Sequence, residues 1–252
     1  MLTFHYGIDV YNNISTWADG SDEKIIAMIE AADNDEMNLS NYWAVGDERT
    51  FHLSAIGKDS DNGGGFNSNA IAQDVVMVLM NEGYMDQDGL HFVVGQKDCL
   101  SVSSYASTGN TSYSWNISPL RTSLNNSYYN SFDTTIKQIF KSFKVKTGYS
   151  SNSLGETTDK FALFAGKEVV GYDDVYSLPD ESLILRHISY YKTAHNRIKT
   201  APTPSSATYT NWWCLRSRVY GSSDYYEFIN SEGNLTSGGK ALSAGVSPFG
   251  CI

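Results

Sequence analysis

The sequence predicts an α+β protein with short antiparallel strands, a few helices and long loop insertions. An alternating apolar stretch at residues 50–56 and a short apolar stretch at 89–95 are typical of strands. One good helical run follows Ser21. Segments rich in Gly, Asn, Ser and Asp, at 59–69 and 101–114, predict loops. With 252 residues and 41% hydrophobic content, the chain can bury the core of one large domain.

Ser21 and Asp22 can cap a helix that runs through residues 24–32. Residues 70–80 fit either a strand or a buried helix, and periodicity does not decide between them. Apolar residues recur at helical spacing over 131–146, which predicts an amphipathic helix with its lysines on a solvated face. Residues 148–158 have the composition of a linker, and residues 160–165 predict a short buried strand. We expect an N-terminal strand/helix appendage at 1–40 and a main domain at 41–252.

The formal net charge of −10 and the pI near 4.9 argue against a nucleic-acid-binding protein, which needs a basic stripe. They also argue against anionic membrane surfaces. No run approaches the roughly 18 apolar residues of a membrane helix, so we expect no membrane insertion. The first residues lack the basic and apolar regions of a signal peptide, which predicts synthesis in the cytoplasm and a non-classical exit such as lysis.

No motif for catalysis or for metal binding stands out. The three cysteines are far apart in the sequence, which predicts free, buried thiols: Cys99, Cys214 and Cys251. The five histidines lack metal-ligand spacing, and Gly63-Gly64-Gly65 lacks the lysine of a phosphate-binding loop. We therefore expect no catalytic residues, no metal and no cofactor.

Several ordered blocks resemble a known family. The most distinctive are Trp212-Trp-Cys-Leu-Arg-Ser, then Phe228-Ile-Asn-Ser-Glu-Gly-Asn-Leu, and Gly245-Val-Ser-Pro-Phe-Gly-Cys-Ile. Earlier blocks begin at Trp43, Trp115 and Thr158. Together they are similar to a widespread phage and gut-bacterial family of unknown function, over about residues 40–252. The chain departs from that family's pattern at Ser247, where arginine is usual, and at Ala165-Gly166, where serine is usual.

The resemblance implies a C-type-lectin-like fold, similar to the variable proteins of diversity-generating retroelements such as the phage major tropism determinant. In those systems adenine-directed mutagenesis rewrites codons near the C-terminus. Residues 219–226 and 236–244 look like such output between fixed framework blocks, within a variable ligand-binding segment at 212–252. The sugar-binding triplets of calcium-dependent lectins are absent, so no calcium is expected at the surface.

The predicted ligand-binding residues combine tyrosines, which give rigid contact area, with small polar side chains that adapt their hydrogen bonds. They are Val219, Tyr220, Ser222, Ser223, Asp224, Tyr225, Tyr226, Glu227, Thr236, Ser237, Lys240, Leu242 and Ala244. Arg216, in the framework, is expected to be a structural partner for a carboxylate or for backbone carbonyls. An ordinary polar hairpin is the simpler interpretation of the same segment.

The function that this predicts is binding of a protein or other macromolecular receptor on a bacterial surface, by a retroelement-diversified phage receptor-binding protein. We expect the protein on the virion tail or on the bacterial cell surface. The sequence is compatible with a homo-oligomer. The main alternative is a structural tail or surface-decoration protein of fixed specificity. An enzyme of the formylglycine-generating type is the least favoured reading, because Cys214 and Cys251 lie in the framework blocks.

Overall fold

A computed structural model describes residues 15–56, 65–66, 73–104, 114–150, 153–171, 185–201, 211–222 and 224–252. The protein is a mixed α+β structure with few helices and several largely antiparallel sheets, as the sequence predicts. Its strands are β1 Glu48–Leu53, β2 Gly65–Phe66, β3 Gln73–Glu82, β4 Phe92–Gln96, β5 Ser101–Ser104, β6 Phe143–Ser150, β7 Ser153–Asp159, β8 Trp213–Arg218, β9 Tyr225–Ile229, β10 Leu235–Gly239, β11 Ala244–Val246 and β12 Phe249–Cys251.

The helices are short apart from the first one. They are α1 Asp22–Asp33, α2 Pro119–Ser123, α3 Tyr129–Ser131 and α4 Gly166–Val170. A π-helical turn, Leu124–Tyr128, joins α2 to α3. The 3₁₀ turns are Leu39–Asn41, Trp115–Ile117, Ile136–Ile139, Ser189–Lys192 and Ala194–Arg197. No helix in the described ranges is long and apolar enough to cross a membrane.

Helix α1 forms where the sequence predicts it. Two acidic residues in its first turn favour the helix dipole, and one face is buried through Ile25, Met28 and Ile29. These side chains join the same hydrophobic core as the rest of the described chain. The expected appendage, 1–40, thus contributes its described part to the common core, while its predicted first strand lies outside the described residues.

Two sheets carry most of the architecture. The first is wholly antiparallel, with strand order β1-β3-β4-β12. The second has the order β10-β9-β8-β11-β5-β2, in which β11 runs parallel to β8 and every other neighbouring pair is antiparallel. In the order of the described strands, the chain changes from one of these sheets to the other after β1, after β2, after β4 and after β11. Residues 73–82, which the sequence left open, form a strand.

The predicted amphipathic helix over 131–146 is wrong. Only a 3₁₀ turn at Ile136–Ile139 is present, and the chain then enters β6, which forms a hairpin with β7. Phe143, Val145 and Thr147 are buried at two-residue spacing, whereas the lysines between them point away. The apolar residues fit a helix up to Phe143 and a strand beyond it.

The predicted linker at 148–158 is also wrong, because β7 occupies most of it. Its buried side chains are polar. Asp159 is 2% exposed and accepts hydrogen bonds from the Trp115 indole (2.9 Å) and the Arg121 guanidinium (2.6 Å). Strand β5 likewise begins inside the predicted loop at 101–114. The buried segment 160–165 contributes a single bridge, Ala162 to Phe249, rather than a strand.

Aromatic rings fill the core between the sheets and the short helices. Phe164 stacks on Phe249 at 4.2 Å, and Phe132 stacks on Phe161 at 5.5 Å. Trp43, Trp115 and Trp213 are all almost fully buried. Large rings bury 150–250 Å² each and dominate the energetics of such a core, so the framework that supports the C-terminal strands is rigid.

Candidate recognition site

The predicted recognition segment begins on a fully buried strand. Every residue of β8 is buried, including Arg216, whose side chain has no solvent exposure. The Arg216 guanidinium donates to both carboxylate oxygens of Glu168 (2.6 and 2.9 Å) and to the Leu163 carbonyl (2.7 Å). The predicted structural role of Arg216 is therefore confirmed, with a carboxylate and a carbonyl both as partners.

Tyr84 completes this buried network. Its hydroxyl donates to Glu168 Oε1 at 2.8 Å, and burial raises the pKa of the tyrosine well above its usual range. Glu168 Oε2 also accepts the backbone N–H of Ala165 at 2.9 Å. Because each charged atom has a partner, the network fixes β8 to helix α4 and to the turn after β3.

Arg218, at the end of β8, anchors the loop that follows. Its side chain is 4% exposed, and Nη2 donates to the Ser222 carbonyl at 2.7 Å. Arg218 was not among the residues predicted from the sequence. The signal in the sequence was the two-residue spacing of Arg216 and Arg218, which places both arginines on one face of a strand.

The loop between β8 and β9 is held by its own hydrogen bonds. Val219 N–H donates to the Tyr225 carbonyl (3.0 Å), and Ser222 N–H donates to the Val219 carbonyl (3.0 Å). The Ser222 hydroxyl oxygen accepts the N–H groups of Asp224 and Tyr225 at 3.2 and 3.1 Å. Gly221 occupies the left-handed region with φ of 75°, which closes the turn without strain.

An ion pair joins this loop to the turn after β10. Lys240 Nζ lies 2.6 Å from Asp224 Oδ1, and Lys240 N–H donates to the Asp224 carbonyl at 2.8 Å. The two predicted variable stretches, 219–226 and 236–244, are thus adjacent in space. We call the solvent-facing residues of these two stretches the C-terminal surface.

Tyr220 and Tyr225 are the large exposed side chains of the C-terminal surface, each 51% exposed. Beside them Val219, Ser222, Thr236, Ser237, Lys240 and Leu242 are partly exposed, and Asp224 is exposed. Ser223 lies outside the described residues. The arrangement presents two aromatic rings within a polar rim on a backbone fixed from beneath.

Three predicted contact residues face the interior instead: Tyr226, Glu227 and Ala244 are 0–1% exposed. Burial raises the pKa of Tyr226, and the Glu227 carboxylate accepts the Gly166 N–H at 3.0 Å. These side chains cannot touch a ligand directly in this structure. Strand β9 lies between β8 and β10, so its residues 226–229 are enclosed.

The thiols are arranged for packing. Cys214 and Cys251 are free and fully buried, and burial raises the pKa of each. Cys99 is free and only partly exposed, and its pKa is raised to about 12. Such thiols hold little thiolate near neutral pH. Across the described ranges, His, Cys, Asp and Glu form no cluster of three that could hold a metal ion.

Ser247, where the resembled family has arginine, is fully buried and donates to the Gln96 carbonyl at 3.1 Å. The Lys199 ammonium donates to that same carbonyl at 2.6 Å and to the Lys97 carbonyl at 2.8 Å. The carbonyl of Gln96, the last residue of β4, therefore accepts a hydroxyl from the turn before β12 and an ammonium from Lys199.

Comparison with known proteins gives one match. Neither a curated protein nor a solved structure matches the chain significantly. A family model described as "Domain of unknown function (DUF6273)" matches residues 79–252, which include all the C-terminal strands. The block at 43–49 falls before the matched region. Since the match covers well over half of the sequence, the chain belongs to this DUF6273 family.

Proposed function

We propose that this protein is a non-enzymatic binding protein with a C-type-lectin-like fold, and that its C-terminal surface recognises a macromolecular receptor on a bacterial cell. We further propose that the surface is diversified by a retroelement and displayed on a phage tail. The fold and the origin rest on the resemblance of the blocks around Trp212, Phe228 and Gly245 to that class of protein.

The observation that carries the proposal is the exposure of Tyr220 and Tyr225 on a preorganised loop. Half of each side chain is available to a partner, and tyrosine offers it an aromatic ring with a polar hydroxyl. The loop backbone is already fixed by Arg218, by Ser222 and by the Asp224–Lys240 pair. Preorganisation lowers the entropic cost of binding, and tyrosine is enriched among interface hot spots.

The surrounding side chains suit variation. Changes at positions 220, 236 and 237 alter solvent-facing groups, whereas the supporting contacts come from Ser222 and Asp224 within the loop and from Arg216, Arg218 and Glu168 below. A diversified site requires this separation, because a surface that varies must not carry the stability of the fold.

The genetic test is to sequence the DNA that flanks the gene. The proposal predicts a reverse transcriptase and a near-copy of the codons for 212–252, with mismatches confined to template adenines. It also predicts that the mismatches fall at solvent-facing positions. Mismatches concentrated at buried codons, such as those for Arg216 and Phe228, would contradict it.

The binding test uses fluorescently labelled protein on a panel of gut bacterial strains. Tyr220→Ala and Tyr225→Ala should each weaken saturable binding at least tenfold, while the matched control Ile117→Ala, 55% exposed elsewhere, should not. Equal binding by all three variants would remove the C-terminal surface from the proposal. Burial of both tyrosines in a homo-oligomer, seen as loss of assembly in the variants, would favour a fixed structural protein instead.

A further inference from the structure

A second candidate site lies away from the C-terminal surface, between β3 and the segment that follows β4. A cavity of about 150 Å³ opens there, with walls from residues 73–76, 96 and 98–100. This site is independent of the proposed receptor-binding function, because no residue whose contacts hold the C-terminal surface lines the cavity.

The cavity exists because two paired segments separate. Lys97 N–H still donates to the Val76 carbonyl at 2.9 Å, as in an antiparallel ladder. Beyond that point Cys99 N–H donates to Thr200 and Leu100 N–H donates to Val246, so the chain has turned towards the second sheet. The Gln73 amide reaches the Leu100 carbonyl at 3.5 Å and closes the far end.

Strand β3 therefore presents backbone groups to the gap. In an antiparallel ladder, residues two apart direct N–H and C=O to the same side. Val76 directs its carbonyl towards Lys97, so Asp74 directs its N–H and carbonyl towards the cavity. This places one donor and one acceptor side by side along the wall.

Gln96 supplies the second donor and acceptor. Its side chain is 2% exposed, and neither Nε2 nor Oε1 makes a hydrogen bond. Met77 lies opposite Gln96 in the register, so the carboxamide lies on the same sheet face as Val75 and Gln73. The buried Tyr128 hydroxyl approaches it, but no hydrogen bond of normal geometry joins the two side chains.

Buried carboxamides almost always have partners, because an unpaired amide loses its hydration without compensation. Gln96 leaves both of its polar atoms unpaired beside a cavity. The pattern needed in a ligand is one acceptor next to one donor, which pairs with Nε2–H and Oε1 together. Carboxamide and urea groups have this pattern, and they are neutral.

We propose that this cavity binds a small neutral molecule that carries a primary carboxamide or urea group. The Gln96 carboxamide would pair with that group, and the Asp74 backbone would supply a further donor and acceptor. The Asp98 carboxylate at the wall disfavours anions, whereas the Asp74 carboxylate is paired with His52 on the other face of the strand. Val75, Val76 and Leu100 provide an apolar surface for the remainder of the ligand, and the small volume restricts it to a few heavy atoms.

The test titrates the full chain with acetamide and follows the side-chain NH₂ resonances of glutamine by NMR. Saturable shifts of the Gln96 resonances are expected with acetamide and not with acetate. Followed through the Gln73 side-chain resonances at the far end of the cavity, acetamide binding should weaken at least tenfold in Gln96→Leu, whereas Gln138→Leu, at an exposed glutamine, should leave it unchanged. Val75→Phe, on the same face of β3 as Gln96, narrows the cavity and gives an independent loss should Gln96→Leu fail to fold.

Two results overturn the proposal: no saturable shift, which would mean that internal water alone fills the cavity, or equal binding by Gln96→Leu and the parent chain. A further titration distinguishes two sources of the carboxamide group. Binding of N-acetyl-asparagine N-methylamide as tight as that of acetamide assigns the site to a polypeptide side chain. Binding of acetamide alone assigns it to a free small molecule.

Discussion

Arg216 and Glu168, 48 residues apart in the sequence, form a two-pronged ion pair from which solvent is excluded. Both guanidinium nitrogens bond to the carboxylate, at 2.6 and 2.9 Å, and the two side chains are 0–1% exposed. Such a pair costs free energy to desolvate, so its value lies in holding β8 against α4 in one register. If one partner is removed, the other remains as a buried charge without compensation.

Arg216→Met should therefore destabilise the protein by about 3–5 kcal/mol in chemical denaturation. The double variant Arg216→Met with Glu168→Met should recover part of that loss, because no charge is left unpaired. Lys97→Met breaks the half-exposed pair with Glu48 and serves as the control, with an expected cost of at most about 1 kcal/mol. Additive effects of the two core substitutions would show that the pair is not coupled.

Arg218 is expected to order the loop between β8 and β9. Arg218→Met keeps the apolar stem but removes the bond to the Ser222 carbonyl, which should cost no more than about 3 kcal/mol of stability. Amide hydrogen exchange at Val219, Ser222 and Tyr225 should become faster, because their hydrogen bonds rely on the loop conformation.

Arg197→Met removes a comparable bond, to the Tyr191 carbonyl, outside the loop, and should leave exchange at those three amides unchanged. Faster exchange in both variants would mean that the loop responds to general loss of stability rather than to Arg218.

Lys199 should make stability depend on alkaline pH. Burial lowers the pKa of its ammonium from 10.5 to about 8, although the group lies over the Trp213 and Tyr191 rings at 5.3 and 5.6 Å. Between these pH values the unfolded chain binds more protons than the folded one, so this group adds stability as pH rises from about 8 to 10.5.

The full effect is about 3 kcal/mol for a shift of this size. It is measured as the difference in unfolding free energy between the parent chain and Lys199→Met across that interval, which cancels the opposing tyrosine ionisations. Lys192→Met, at an exposed lysine, is the control. A difference that does not change with pH would contradict the lowered pKa.

Gly245 should be intolerant of a side chain. A Cβ atom there would lie 2.5 Å from Cys99 Sγ and 3.0 Å from Ala201 Cβ, so Gly245→Ala should cost about 1–3 kcal/mol through overpacking. Gly239→Ala, in the same sheet with open space around it, should be close to neutral in thermal unfolding. Adding Cys99→Ala to Gly245→Ala should restore part of the loss, and no restoration would place the strain elsewhere.

Local signals in the sequence predicted part of this structure. Helix α1 has acidic residues in its first turn and apolar residues on one face, so its prediction required no distant contact. The helix predicted over 131–146 failed because Ile136, Ile139 and Phe143 suit a helix, while burial at Phe143, Val145 and Thr147 follows strand alternation. Strand β7, which pairs with β6, buries Asp159. The hydrogen-bond partners of Asp159, Trp115 and Arg121, lie far from it in the sequence.

The candidate site likewise combines features that could be predicted from the sequence with features that could not. Tyr220 and Tyr225 were predicted from residue type, and they are exposed. Tyr226 has the same type and is buried, because only the position of β9 between two strands decides which side chains are enclosed. Arg216 was predicted to bond to a carboxylate or carbonyl, but no local pattern identifies Glu168 as its partner.

The close approach of Trp212 and Gly245 has a practical consequence. The Gly245 N–H donates to the Trp212 carbonyl at 2.7 Å, and Gly245 pairs with Trp213 across the parallel strands. The segment between them, residues 214–244, therefore leaves and re-enters the fold at neighbouring positions, because its two ends are hydrogen-bonded to each other. An engineered library that randomises only positions 220, 236 and 237 would therefore vary solvent-facing side chains while the contacts of Ser222 and Asp224 stay in place, with the closure cost of the segment already met by its hydrogen-bonded ends.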